Sequence, residues 1–380
     1  VASKRRKDPL WARIVLIFGA VLLVASGGTL VAAQTLIASA TNSITTDSLL
    51  DAAGAGGDEG NDISGAVNML LAGIDARDKE SATTSVLADT IIILHIPETH
   101  DQAYLISIPR DWSVQIPPYA KTGFPGGIQK INSSFSVGYD GDGSEQEKRA
   151  RGMESLANTL NKITGIKFNG AALIDFGGFE KIIHAMGGVD MCVDEQATSI
   201  HLGVNDEGHL YQGWYDEAAD QVRGLPAGYE PYVHKLGCRK MSSTLALDYA
   251  RIRKSLSDGD YGRQRHQQQL MKAIAKQATS SGVLTDLGKL NGLVQAAGEA
   301  FILDTQGTPV VDFIYTLKGV AANDLMLIKT NNGQFRSVTD ANGSSAETLD
   351  SLSMDMLAAA KDGTLGTFLI ENPTFIAKSS

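Results

Sequence analysis

Three short apolar runs open the patterned part of the chain: VNMLLAGI (67–74), TIIILHI (90–96) and AYLISI (103–108). Each is β-branched or aliphatic and is bounded by turn residues, which predicts three strands. A helical period follows over about 145–164, then a strand in GAALIDF (170–176), a helix in FEKIIHAMG and a strand in VDMCV (189–193). The polar stretch 195–237 has no apolar period and reads mostly as loop. Helical spacing returns after Ser242, most strongly from Tyr261 to Ser280. Further helices are expected near 285–301, 308–321 and 346–361, with a strand at 325–330. Strands alternating with helices predict an α/β fold, a three-layer α-β-α domain around a central mixed sheet.

The N-terminal pattern differs. From Ile14 to Ile37 there is no charged residue, and a helix of that length, about 36 Å at ~1.5 Å per residue, spans a hydrocarbon core of roughly 30 Å. Lys4, Arg5, Arg6, Lys7 and Arg13 precede it. The positive-inside rule then places residues 1–13 in the cytoplasm and the body outside a plasma membrane crossed once. Ala38-Ser39-Ala40 has the form of a signal-peptidase site, the competing reading, under which the body is still exported. Residues 38–64, small, polar and Gly-rich, read as a flexible linker. Residues 65–280 are expected to form the core of the domain and 281–380 a helical extension of it.

Charge and cysteine content sharpen this. The chain carries −10 net, and most of its N-terminal charge is positive, so the body is more acidic still. Such a surface argues against nucleic acid as a partner, which needs basic area to release counterions. Cys192 and Cys238 are the only two cysteines. In an exported chain an even count predicts a disulfide; two buried thiols or a metal pair are the alternatives.

Candidate chemistry gathers at the strand ends. Asp75 follows directly on the first strand and Asp89 directly precedes the second. If these pair as an antiparallel hairpin the carboxylates are neighbours, and the returning third strand brings Arg110 and Asp111 to the same edge. Two close carboxylates repel unless a cation lies between them, and hard oxygens suit Mg²⁺. The bland alternative is that both aspartates simply cap turns.

Between Arg239 and Lys276 nine residues are basic and only Asp248, Asp258 and Asp260 oppose them. Arg251 and Arg253 reach one anion if the preceding helix ends near Tyr249, and arginine suits phosphate oxygens. Arg263 shares a helix face with Gln267, Leu270 and Ile274, so it is carried inward. It also lies in a first turn, where positive charge is disfavoured. Either Asp258 and Asp260 compensate, or an anion binds there. Arg265 points elsewhere and is expected at the surface.

Taken in order, LLAGID (70–75), ADTIIILHI (88–96), LISIPRD (105–111), QKINSSF (129–135), IDFGGFEKIIHAMGGVDMCV (174–193), LALDYARIRK (245–254) and GDYGRQRHQQQ (259–269) resemble the LytR-CpsA-Psr family over roughly 67–280. The resemblance implies an extracytoplasmic α-β-α domain that binds polyprenyl-pyrophosphate-linked glycan and joins it to peptidoglycan. It implies Mg²⁺ beside Asp75 and Asp89, and a pyrophosphate grip of Arg110, Arg251, Arg253 and Arg263, with Lys130 and Gln267 as further headgroup contacts. Asp75 and Asp111 both stand as candidate general bases. Leu87 departs from the pattern, since many members carry arginine there. The rival functions are a polyprenyl-pyrophosphatase and a non-catalytic lipid-binding regulator. No G-x-S-x-G, HExxH or P-loop sequence is present.

Overall fold

The computed structural model describes residues 45–46, 49–50, 54, 65–74, 85–216, 218–278, 292, 296, 301–304, 306, 325–340 and 343–377, all within the unit Ile44–Ser380. The expected membrane helix 14–37, Asp75 and almost all of the expected helices 285–301 and 308–321 lie outside these residues. Among the described residues no helix is long and apolar enough to cross a membrane.

The three opening runs form the middle of a seven-stranded mixed sheet. Val67–Ile74 pairs antiparallel with Ala88–Ile96, which pairs antiparallel with Ala103–Ser107. Gly170–Asp175 lies parallel on the other side of Val67–Ile74, followed outward by Phe301–Asp304 and the two-residue strand Thr45–Thr46. Leu325–Ile328 closes the opposite edge, parallel to Ala103–Ser107.

The strands read as nearly continuous apolar runs because both faces are covered. Period two sorts their side chains: Leu70, Ile91, Ile93, Tyr104 and Ile106 enter one cluster, Met69, Ile92, Leu94, Ala103 and Leu105 another. The first cluster includes Met153, Leu156 and Leu160 of the helix Glu145–Thr164 and Met356 and Leu357 of Ser351–Lys361. The helix Asp260–Ala278 packs on the other face through Met271, and Gln268 donates from it to the carbonyls of Leu105 and Ile328 at 2.7 and 2.8 Å. The helix Glu145–Thr164 starts at Ser144 with a reciprocal cap to Glu147 and stops at Gly165 in the left-handed region.

Four sequence expectations are corrected. The stretch 195–237 is built of strands, among them Ala197–Val204 and Glu230–His234, whose partly exposed faces leave no apolar alternation to read. The linker 38–64 is not wholly separate: Leu49 and Leu50 are buried in the main core and donate their N–H groups to Asp304. Phe301–Asp304 is a sheet strand where a helix was expected to end. The last long helix begins at Ser351, because Ser345–Glu347 pairs as a strand with Ser337–Thr339.

Cys192 and Cys238 are disulfide-bonded, as expected. They face each other in the antiparallel pair Val189–Val193 and Gly237–Met241, so strand register presents one sulfur to the other.

Candidate functional site

The strand order delivers charged groups to one rim. Gly73 pairs with Thr90 and Ile74 with Ala88, so Asp89 is the extra residue of a β-bulge. A bulge re-aims the side chain that carries it. Asp89 Oδ1 accepts from Arg110 Nη1 at 2.6 Å. Arg110 Nε lies 3.7 Å from both Asp111 and Asp260. Burial opposes the charge on Arg110, yet the three carboxylates outweigh it and raise the pKa above the usual guanidinium value.

Lys130 arrives from a second hairpin. Ser113 pairs with Lys130 across Ser113–Ile116 and Gly127–Lys130, and Lys130 Nζ then meets Asp111 at 2.8 Å. The helix Asp260–Ala278 supplies the third element. Arg263 is buried, as its apolar-face spacing predicts. Its guanidinium forks onto Asp260 through Nε at 3.0 Å and Nη2 at 2.9 Å, and Nη1 donates to the carbonyl of Asp89 at 3.0 Å. Burial alone would push the Asp260 carboxyl up; Arg263 and Arg110 beside it hold it below its ordinary value. Asp260, read from sequence only as a possible cap, therefore joins two arginines of the rim.

The helix carrying Arg251 runs Ser243–Arg251, two residues beyond the expected end. Arg251 is thus its last helical residue, and its guanidinium lies over the Phe176 ring at 4.5 Å. The chain then becomes extended at Ile252 and turns back at Gly259, in the left-handed region. That turn carries Arg253 and Lys254 over a cavity of about 830 Å³ whose wall includes Asp111, Asp260 and Phe335. Gly262 lets the turn close on the helix: a Cβ there would lie 2.2 Å from Asp258 and 2.7 Å from Leu256. Gln267 is buried on the helix. Leu87 stands immediately before the bulge pair, half-buried.

Arg265 is not a surface residue. Its side chain is 15% exposed and bonds Asp194 at 2.8 Å, Glu195 at 3.4 Å and Asp258. Asp258 therefore compensates Arg265 while Asp260 compensates Arg263. Two further contacts carried no sequence signal. Tyr261 donates to the buried Glu347, and the N–H of Glu347 donates to the carbonyl of Asp111 at 2.8 Å. The C-terminal region thereby braces the rim; burial raises the Glu347 pKa.

Among the described residues no group of three or more His, Cys, Asp or Glu side chains suits a metal ion. The donor chemistry at the bulge is nevertheless of the hard-oxygen kind that Mg²⁺ takes, with one Asp89 oxygen engaged by Arg110.

Comparison with known proteins gives the same direction. The chain is 25% identical over 352 residues to the cell wall biosynthesis protein LcpA of Corynebacterium glutamicum, covering 85% of this chain and 60% of that one. It is 29% identical over 231 residues to the probable cell wall biosynthesis protein LcpB of the same organism, covering 57% and 43%. The chain thus spans less than two thirds of the length of these two relatives. It is 26% identical to a protein of Halalkalibacterium halodurans named polyisoprenyl-teichoic acid–peptidoglycan teichoic acid transferase TagU, over 70% of each chain. The fold matches that of Bacillus subtilis TagV with a TM-score of 0.53 at 18% identity, over 80% of this chain and 98% of that one. It matches the structure titled "TagT bound to LIIa-WTA" equally well, TM-score 0.53 at 17% identity, over 81% and 94%. The LytR_cpsA_psr family model matches residues 29–361, most of the sequence, and the chain belongs to the LytR-CpsA-Psr family.

Proposed function

We propose that this protein transfers a glycopolymer from a polyprenyl-pyrophosphate carrier to a hydroxyl of peptidoglycan, at the outer face of a membrane that the run 14–37 anchors. The observation that carries the reading is the rim itself. Strand ends and the start of the helix Asp260–Ala278 bring Asp89, Arg110, Lys130 and Arg263 together through Asp111 and Asp260, and these two aspartates also wall the cavity that Arg253 lines, in a chain of this family. The teichoic acid transferase name of the TagU relative and the LIIa-WTA complex of TagT support the same substrate class.

Phosphoryl transfer asks a protein mainly for positioning and charge neutralisation. Arg110, Arg253 and Arg263 supply donors for diphosphate oxygens, and Asp111 and Asp260 hold two of these guanidinium groups in place. Lys130 stands beside them. Arg251, resting on Phe176, shapes the turn that presents Arg253. Asp75 and Asp89 would hold Mg²⁺, which when bound neutralises charge on the diphosphate. The acceptor hydroxyl oxygen forms a bond to the sugar-bearing phosphorus, the bridging P–O bond breaks, and polyprenyl phosphate leaves with that electron pair. A rim carboxylate takes the hydroxyl proton. Asp75 and Asp111 are the candidates for that role, and Asp111 also holds Lys130 and Arg110.

Calorimetric titration of the detergent-solubilised full chain with farnesyl diphosphate and farnesyl monophosphate tests the grip. Diphosphate binding at least tenfold tighter, and lost in Arg253→Ala, is expected. Equal affinity for the two ligands would overturn the assignment.

A further inference from the structure

The helix Asp260–Ala278 presents a second polar face. At 100° per residue, Tyr261, Gln264, Arg265 and Gln268 share a side turned away from that of Arg263 and Gln267. They line a separate cavity of about 270 Å³ on the sheet-edge side, with Ser107, Asp194, Glu195 and Asp258 among the other wall residues. Ser257, Asp258, Tyr261 and Gly333 belong to the walls of both cavities, so this chamber adjoins the diphosphate rim.

Three polar atoms of its wall residues are buried and unmade: Ser107 Oγ, Gln264 Oε1 and Asp258 Oδ1. Ser107 is 2% exposed and Gln264 6%, and neither Ser107 Oγ nor Gln264 Oε1 has a hydrogen-bond partner among the described residues. A buried polar atom left without a partner costs about 1–3 kcal/mol, so a fold retains three in one chamber at a disadvantage unless something binds there. The wall chemistry narrows what that is. Asp194, Glu195 and Asp258 repel an anion. A metal ion has no place among them either, because the Arg265 guanidinium already bonds all three. Gln264 Oε1 needs a donor, and Ser107 can donate or accept. At about 270 Å³ the chamber is too small for a lipid chain and large enough for one ring.

We propose that this chamber takes a neutral, hydroxyl-rich sugar ring, placing a sugar of one of the two glycan substrates beside the diphosphate rim. The inference deepens the transfer reading and rests on it for the identity of the substrates. The ring's O–H groups donate to Gln264 and to the carboxylates, Ser107 completes a hydrogen bond, and the Tyr261 ring forms part of the wall.

The test uses the full-length protein in detergent, with Ser107→Ala to delete the hydroxyl and Ser107→Val to fill its space. The probe is a neutral tetrasaccharide of N-acetylglucosamine, followed by calorimetry and by ligand-observed NMR. Ser107→Ala should bind it roughly three- to tenfold more weakly, and Ser107→Val more weakly still. Neither variant should lose affinity for inorganic pyrophosphate or melt below the native protein. In turnover assays a raised KM for the acceptor glycan assigns the ring to the acceptor, and a raised KM for the lipid-linked donor assigns it to the donor. Native-like affinity for the tetrasaccharide in both variants, with both KM values unchanged, overturns the proposal. The pyrophosphate and farnesyl diphosphate measurements report separately, so a failed sugar site and a failed transfer reading give different results.

Discussion

Replacing Asp260 by Asn tests how the rim holds its cations. The carboxylate receives a forked bond from the buried Arg263, a bond from Gln264 at 3.1 Å, and lies 3.7 Å from Arg110. Removing one member of a buried pair costs about 3–5 kcal/mol. Asn keeps one acceptor oxygen, so the lower end, about 3 kcal/mol, is expected. At roughly 2–4 °C per kcal/mol for chains of this order of size, the melting temperature should fall by about 6–12 °C. The loss should be pH-dependent. The folded-state pKa of Asp260 lies below the ordinary 3.8, so its contribution is present above that value and disappears as pH falls through the folded pKa. Pyrophosphate should then act as a replacement anion. A ligand at a hundred times its Kd stabilises by about 2.7 kcal/mol, and the variant, with two under-compensated arginines, should gain more than the native protein does. Thermal melts by circular dichroism of both proteins, with and without pyrophosphate, give all three quantities. A variant within 0.5 kcal/mol of native, marked as roughly the scatter of surface substitutions, or equal pyrophosphate shifts in both, would refute the reasoning.

Other consequences are simpler to state. Reducing the bond between Cys192 and Cys238, or replacing both with Ser, opens a loop with a sequence separation of 46 and should cost about 4 kcal/mol on the chain-entropy estimate, read as a lowered urea midpoint at constant slope. His95 is fully buried, donates through Nδ1 to Asn68 Oδ1 at 2.7 Å, and is held neutral by burial, its pKa lowered from 6.5 to about 4. Its stabilising effect is therefore complete above pH 6.5 and is lost as pH falls towards 4, by up to about 3 kcal/mol; urea melts of His95→Gln should show a flatter slope across that window. Arg110→Lys keeps the charge but loses the planar fork that serves Asp89, Asp111 and Asp260 together, so diphosphate affinity should drop about tenfold with a smaller change in melting temperature.

The sheet was legible in the sequence because both its faces are buried: VNMLLAGI, TIIILHI and AYLISI leave little room for another reading. The same logic located Arg263, whose inward position follows from its spacing to Leu270. What escaped had no periodic signature. Leu49 and Leu50 are two apolar residues in a polar stretch, and what buries them, the main core, and what holds their N–H groups, Asp304, are both distant in sequence. The strands of 195–237 are short and expose Leu210, Tyr211 and Trp214 beside polar residues, so no apolar–polar alternation marks them. Arg265 looked peripheral because its partners Asp194 and Glu195 are about seventy residues away in sequence. The helix carrying Arg251 runs two residues past the expected end at Tyr249, which places its guanidinium over Phe176, a contact with no sequence signal. Asp260 was visible as a residue but not as the carboxylate between two arginines, since Arg110 reaches it only through the folding of three strands. Asp75 lies outside the described residues, so its place beside Asp89 stays a proposal that follows from the pairing of Ile74 with Ala88.

Reconstituting the transfer distinguishes a ligase from a hydrolase or a carrier-binding protein. The full chain in detergent is mixed with a short polyprenyl-pyrophosphate glycan, Mg²⁺ and peptidoglycan fragments, and mass spectrometry follows glycan and polyprenyl phosphate. Glycan should appear on peptidoglycan with an equal amount of polyprenyl phosphate released, and both products should be lost in Arg253→Ala, in Asp89→Asn and with chelator. Free glycan phosphate despite acceptor, or tight carrier binding with no release at all, would contradict the ligase reading.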